Sequence, residues 1–293
     1  MIWLIGCKGM LGTELSLLME KAGLPFIGTD REVDIANPAA LEKFIEQPWQ
    51  FGWIINCAAY TAVDKAEDDV ETCRRLNTLG AANIAACAQK IGARLIHIST
   101  DYVFDGTGKR PYTEEDTTAP TGVYGLSKRD GELAVMENNP RTYIIRTAWL
   151  YGKYGNNFVA TMLRLMNERD EVKVVDDQRG SPTWAFDLAS AVLAVIAAIA
   201  NGGKNIPFGI YHYTDEGDIS WFDFAKEIYQ QGRELGRISK DCAVKPCASA
   251  EYPAKVKRPA YSVLDKSKIK ATLGIEIPLW DTSLKEFLNV CAH

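Results

Sequence analysis

The chain of 293 residues has no C-x-x-C pair and no regular cysteine framework; its seven cysteines, Cys7, Cys57, Cys73, Cys87, Cys242, Cys247 and Cys291, are scattered and odd in number. That pattern argues against a disulfide scaffold and fits reduced thiols in a cytoplasm. Histidine is scarcer still. His97, His212 and His293 are too far apart for metal-ligand spacing, and His97 falls in a core strand, where it reads as structural. Basic runs are missing too: no stretch of Lys and Arg reaches the length of a basic patch, and the net charge of -5 disfavours nucleic acid as a partner. The longest apolar stretch, residues 188–200, is interrupted by Ser190 and falls short of the ~20 residues a bilayer requires. It reads as an alanine-rich core helix, with no membrane association. The N-terminal segment lacks the positive flank of a signal peptide and reads as a buried strand. What remains, 47% hydrophobic and 24% charged residues, is an ordinary globular composition with enough apolar material for a sizeable core.

Short apolar runs alternate with amphipathic stretches through the first half. Strands are expected at residues 2–5, 25–28, 53–56, 95–99 and 143–146, and helices at 11–21, 39–45, 70–91 and 124–138. Continuous apolar runs signify strands covered on both faces, so the fold class is α/β, a doubly wound parallel sheet of the Rossmann kind. After Tyr151 the punctuation becomes irregular, with Gly152, Gly155, Gly180, Pro182, Gly202, Gly203, Pro246, Pro253 and Pro259. Residues 1–151 are therefore expected to form a dinucleotide-binding domain, and 152–293 a smaller C-terminal substrate-binding lobe. Part of that lobe should return to cover the main sheet, through the helix from Asp187 and the apolar segment 209–213.

Gly6, Gly9 and Gly12 follow the first strand and open the first helix, the setting a dinucleotide-binding turn needs. Gly6 permits the turn, Gly9 lets a pyrophosphate approach the backbone, and Gly12 lets helix and strand pack closely. The helix N-terminus would then face the phosphates. The spacing, G-x-x-G-x-x-G, is similar to that of the extended short-chain dehydrogenase/reductases. Asp30 ends the second strand, where an acid accepts hydrogen bonds from the adenosine ribose and favours NADH. Arg31 follows it, and a guanidinium there suits the extra phosphate of NADPH. A plain polar turn would also account for the pair.

Tyr124 and Lys128 lie one helical turn apart on one face of a predicted helix. A free phenol has a pKa of about 10, and a neighbouring positive charge favours its ionised form. In reduction Tyr124 would give its proton to a carbonyl oxygen as hydride reaches the carbon. A solvated helix face would show the same spacing, but Thr100 at the C-terminal end of the fourth strand adds a third element where open parallel sheets bind ligands. Thr100 can hold the substrate oxygen beside Tyr124. The small residues after Asn56 would let a cofactor pass close to the backbone. Asn77 is read as opening a helix behind the site, in a structural or supporting role.

Together with these, the segments from Asn56 to Glu67, Ser99 to Gly106, Arg146 to Gly152, Asp177 to Thr183 and Arg258 to Asp265 resemble the dTDP-4-dehydrorhamnose reductases over nearly the whole chain. The resemblance implies NADPH- or NADH-dependent reduction of the C4 ketone of dTDP-4-dehydro-L-rhamnose, the last step of dTDP-L-rhamnose synthesis for cell-wall polysaccharide. It implies that Tyr124 is the proton donor, that Lys128 binds the nicotinamide ribose and tunes Tyr124, and that Thr100 orients the ketone. Met10, Leu11, Asp34, Ile35, Ala58, Ala59 and Tyr60 would line the cofactor. Asp101, Tyr102 and Trp149 would meet the sugar nucleotide, Trp149 by offering an apolar indole face unless it is a core residue. Arg179 and Arg258 would contact the diphosphate unless they form surface salt bridges. Tyr102 stands where related dehydratases carry a glutamate, which favours reduction over dehydration and leaves 4-epimerisation a weaker alternative. A catalytically silent regulatory subunit is another, since a methionine adenosyltransferase partner protein is similar to the same family. Some family members look to dimerise around magnesium; Glu14 is kept, but Phe186 replaces an acid and cannot ligate a hard cation. No magnesium site is expected, and the chain is expected to be a monomer or weak homodimer.

Overall fold

The computed structural model describes residues 1–200, 206–251 and 254–290; Gly202, Gly203, Pro253, Cys291 and His293 lie outside them. The first half runs β1 (Ile2–Ile5), α1 (Met10–Lys21), β2 (Phe26–Thr29), α2 (Pro38–Ile45), β3 (Trp53–Asn56), α3 (Val63–Ala66), α4 (Val70–Arg74), α5 (Ala81–Ile91), β4 (Arg94–Thr100), α6 (Val123–Asn138) and β5 (Thr142–Thr147). These strands and the segment Gly209–His212 form a six-stranded sheet, with Gly209–His212 at one edge, then β5, β4, β3, β1 and β2. Every pairing in it is parallel. From β1 the chain leaves to one side for β2 and then returns to the other for β3. The switch point therefore lies between the C-terminal ends of β1 and β3, the crevice where such sheets bind ligands.

The apolar runs are explained by the two cores they feed. Ile2, Leu4 and Ile55 face α1 and the helix Ala185–Ala200, through Leu15, Met19, Leu188 and Val192. Trp3, Ile5 and Ile54 face the opposite layer, through Leu41, Ile84, Ala85 and Val135. Each residue of β1 and β3 is thus buried whichever way it points, and each large apolar side chain contributes roughly 1.5–3 kcal/mol on burial.

Two expectations need correction. The helix expected over 70–91 is interrupted by a π-helical turn, Arg75–Gly80, and Asn77 lies inside that turn and opens no helix. The segment 209–213 was expected to cover the sheet, yet Gly209–His212 extends it as an edge strand beside β5. The helix Ala185–Ala200 does cover a face, and Ile269, Leu273 and Ile277 join it there. Other C-terminal residues build a third apolar cluster. Tyr151, Met162, Val174, Trp184, Phe224 and Phe287 are buried in it, beside the parallel pair Glu171–Val175 and Ala243–Cys247.

Candidate active site

The turn after β1 is shaped by glycine at both its ends. Gly6 has φ +80°, and a Cβ there would lie 2.8 Å from the Ala58 nitrogen; at Gly12 it would lie 2.1 Å from the Gly6 carbonyl oxygen. The β1 turn, the β3 loop and α1 are therefore in backbone contact, and side chains at these two positions would push them apart. Gly9 has no such constraint from the protein, its nearest neighbour being 3.4 Å away. It precedes α1, which has no side-chain cap, so the first-turn N–H groups are available to an anionic ligand. This cradle suits a dinucleotide pyrophosphate.

Asp30 is half-buried beside the turn and accepts hydrogen bonds from the backbone nitrogens of Lys8 (3.3 Å) and Arg31 (2.9 Å). Arg31 is exposed. Asp34 is exposed and pairs with Arg75 at 3.8 Å. The Ile35 and Leu11 side chains are buried in the two sheet cores, so only their backbones can face a cofactor. Met10 stays half-exposed at the start of α1. Ala58, Ala59 and Tyr60 form the half-buried loop after β3. That loop is held by Asn77, whose Oδ1 accepts from the Tyr60 nitrogen at 2.8 Å while its Nδ2 donates to the Tyr60 carbonyl at 3.1 Å. Asn77 Nδ2 also reaches Ser127 Oγ on α6 at 3.0 Å. The π-helical turn thus ties the β3 loop to the helix carrying Tyr124, consistent with the frequent placement of such turns at functional sites.

Thr100, Tyr124 and Lys128 come together where β4 ends against α6. Thr100 Oγ1 donates to Asp101 Oδ1 at 2.9 Å and accepts from the Tyr102 nitrogen at 3.2 Å. Lys128 is buried and donates to the Ile98 carbonyl at 2.6 Å. Burial is the main influence on the Tyr124 phenol and holds it well above its ordinary value; the Thr100 hydroxyl pulls the other way, and the charge of Asp101 reinforces burial. Tyr124 therefore stays protonated at neutral pH, the state a proton donor needs. Burial also lowers Lys128 to about 8 and raises Asp101 to about 6.

The residues expected to meet the sugar nucleotide cluster around the segment 258–262. Arg258 Nη1 donates to the Tyr102 hydroxyl at 3.1 Å, and its Nη2 pairs with Asp64. Tyr102 packs edge-on to Tyr124, ring centres 5.5 Å apart. Two residues beyond Ala260, the Ser262 nitrogen donates to the Arg179 carbonyl at 2.8 Å, and Ser262 lies near Asp101. Arg179 is exposed, and its guanidinium pairs with Asp218 at 2.7 Å. Trp149 takes a left-handed backbone, φ 48°, and stacks on Trp221 with ring centres 3.5 Å apart. A Cβ on Gly180 would meet its indole at 2.5 Å. The ring is therefore fixed by packing but only half-buried.

Sequence reasoning missed Asp64, Glu67, Asp218 and Trp221. Glu67 Oε1 accepts from the Val123 nitrogen at 2.8 Å and so caps the helix carrying Tyr124. Asp64 and Glu67 lie inside a segment already singled out after β3, but nothing in their spacing announces partners at Arg258 and Val123. Among the described residues no group of three or more His, Cys, Asp or Glu could hold an ion, and Phe186 packs against Trp184 at 4.8 Å. No helix of the described residues is long and apolar enough to cross a membrane.

A family model described as the RmlD substrate binding domain matches residues 1–292. The dTDP-4-dehydrorhamnose reductase of Streptomyces griseus is 44% identical over 297 residues, covering 99% of this chain and 94% of that protein. A solved dTDP-4-dehydrorhamnose reductase from Clostridium acetobutylicum superposes with TM-score 0.92 at 42% identity, covering 100% of this chain and 99% of its own. Another, from Bacillus anthracis in complex with NADP, gives TM-score 0.91 at 36% identity, with 99% and 98% covered.

Proposed function

The chain belongs to the dTDP-4-dehydrorhamnose reductase family, and from that premise we propose that it reduces the C4 ketone of dTDP-4-dehydro-L-rhamnose to dTDP-L-rhamnose with NADPH or NADH. The observation that carries the reading is the meeting of β4 and α6 at the C-terminal end of the parallel sheet, where Thr100 accepts from the Tyr102 nitrogen, Tyr102 packs on Tyr124 and Lys128 bonds Ile98, with an uncapped helix start after the glycine turn. A bound nicotinamide cofactor supplies the hydride. Gly9 and the first turn of α1 would hold its phosphates, Asp30 would meet its adenosine ribose and Arg31 the extra phosphate of NADPH, and Met10 and the loop Ala58, Ala59 and Tyr60 would line its path.

Thr100 holds the ketone oxygen and Tyr124 gives it a proton, a general acid step. Lys128 binds the ribose of the nicotinamide half. Asp101, Tyr102, Trp149, Arg179 and Arg258 form the sugar-nucleotide side, with the segment 152–293 as the substrate-binding lobe. For Arg258 the support is its bond to Tyr102. For Arg179 it is weaker in kind, since a half-exposed ion pair contributes only about 0–1 kcal/mol to stability and so leaves the guanidinium free to exchange Asp218 for a phosphate. The reading includes a cytoplasmic location and a monomeric or weakly dimeric state. Incubation with dTDP-4-dehydro-L-rhamnose and either NADPH or NADH, followed at the nicotinamide absorbance, tests it. Cofactor oxidation is expected, and none with either cofactor would leave a binding-only role.

A further inference from the structure

One buried side chain against the site has no part in the reaction as described: His97 on β4, 1% exposed, with its ring between Asn56 and Lys128. Its hydrogen-bond directions can be followed from a fixed start. The Ala58 backbone N–H can only donate, and it lies 3.0 Å from Asn56 Oδ1. That contact assigns the Asn56 amide, so Nδ2 is the atom turned to His97 Nδ1, at 3.0 Å. An amide nitrogen only donates, hence His97 Nδ1 must accept. Burial holds the ring neutral, and a neutral ring with a bare Nδ1 carries its proton on Nε2. That N–H faces Lys128 Nζ at 3.5 Å. The amine lies much closer to the Ile98 carbonyl, at 2.6 Å, as two facing donors would require.

We propose that His97 is a positioning residue that governs the charge of Lys128: locked as the Nε2–H tautomer by Ala58 and Asn56, it offers the amine a donor and so favours its neutral form. A neutral amine can accept from Nε2–H and still donate to Ile98, whereas an ammonium can use only the second contact. The other groups acting on Lys128 are Glu132 one turn further along α6, Cys57 after β3 and Cys73 on α4, and Tyr124 lies one turn before it. The first three favour the charged form, and burial opposes them. Of these, Glu132 is engaged by Arg146. His97 therefore adds to burial where the carboxylate is already spent on another partner. Because the relay begins at Ala58, in the loop beside the glycine turn, it links the cofactor crevice to the amine. The inference rests on reading Lys128 as the partner of Tyr124 for its meaning, but not for its test.

The test uses the full chain without substrate, so its failure is separate from that of the proposed reaction. In a nitrogen-15 spectrum of histidine-labelled protein, the signal lost in His97→Gln should show a proton on Nε2 and none on Nδ1 from pH 6 to 8.5. His212 is an internal contrast, since its Nδ1 lies 3.1 Å from the Tyr112 carbonyl and must carry the proton there. The Lys128 Cε signal of lysine-labelled protein, assigned with Lys128→Met, should titrate about one pH unit higher in His97→Gln, where the amide oxygen can turn to the ammonium. A proton on His97 Nδ1 overturns the proposal, and so does an unchanged Lys128 midpoint in a folded His97→Gln. Should that variant not fold, the tautomer in the native chain still decides.

Discussion

At the scale of single residues, Tyr124 is where the reaction is most exposed to test. The phenol is protonated at neutral pH and lies beside Thr100, so removing its hydroxyl deletes the donor while keeping the ring that packs on Tyr102. Tyr124→Phe is expected to lower turnover by roughly 10²–10⁴-fold, the usual worth of a general acid, with cofactor affinity nearly unchanged by fluorescence titration. Near-normal turnover would require another donor. Asp101 gives a second prediction, in stability. Burial raises its carboxyl from 3.8 to about 6, and its Oδ2 has no hydrogen-bond partner. Between those two values the unfolded chain has released a proton that the native chain keeps. Stability therefore falls as pH rises through this window, and above about 6 the full penalty stands. A displacement of roughly two pH units, at ~1.4 kcal/mol each, bounds it at about 3 kcal/mol. Asp101→Asn keeps the Thr100 contact and should raise the melting temperature at pH 8, with the gain vanishing below about pH 4. A gain independent of pH would show that the Asp101 charge is not the cause.

At the scale of elements, α6 is fastened to the sheet by a buried ion pair. Arg146 on β5 donates from Nε and Nη2 to Glu132 at 2.9 and 2.7 Å, and its guanidinium lies 5.0 Å from the Phe104 ring. Both side chains are almost fully buried. Removing one partner strands the other charge, at about 3–5 kcal/mol, whereas replacing both by apolar groups is often tolerated. Glu132→Gln should thus lower stability by close to that amount in denaturant unfolding, and a Glu132→Leu/Arg146→Met pair should be more stable than either single change. Additive losses would mean the two charges act independently. Little of this fastening was legible in the sequence, although the elements it joins were. β1 and β3 announced themselves because burial on both faces makes a strand a nearly continuous apolar run, and that constraint is local. The partners of Arg146, Arg258 and Val123 lie 14, 194 and 56 residues away at Glu132, Asp64 and Glu67, on other elements, and no periodicity encodes such pairs. The π-helical turn at Arg75–Gly80 was hidden for a related reason. One extra residue per turn changes neither composition nor the apolar pattern, and only the contacts of Asn77 with Tyr60 and Ser127 give it a purpose.

For the whole molecule, the remaining question is whether two copies share a metal. A hard divalent cation needs several oxygen ligands at one place. Glu14 on α1 is buried, burial raises its carboxyl above the ordinary range, and the charge that opposes this is Lys153. A carboxyl in that setting already has a cation at hand and is the harder to ionise for a second one. Phe186 follows Ala185 at the start of the covering helix and turns to Trp184, while the next acid, Asp187, accepts from Ser283 Oγ at 2.6 Å. Nothing in this arrangement gathers oxygen ligands around Glu14. The mass measured by light scattering during size-exclusion chromatography is therefore expected to be the same with magnesium and with a chelator. Catalytic turnover should be equally indifferent to the chelator, because the proposed reduction assigns to the Tyr124 phenol and the Thr100 hydroxyl what a metal enzyme would assign to a cation. A dimer that dissociates on chelation would show that carboxylates from two copies meet at a place no single chain reveals.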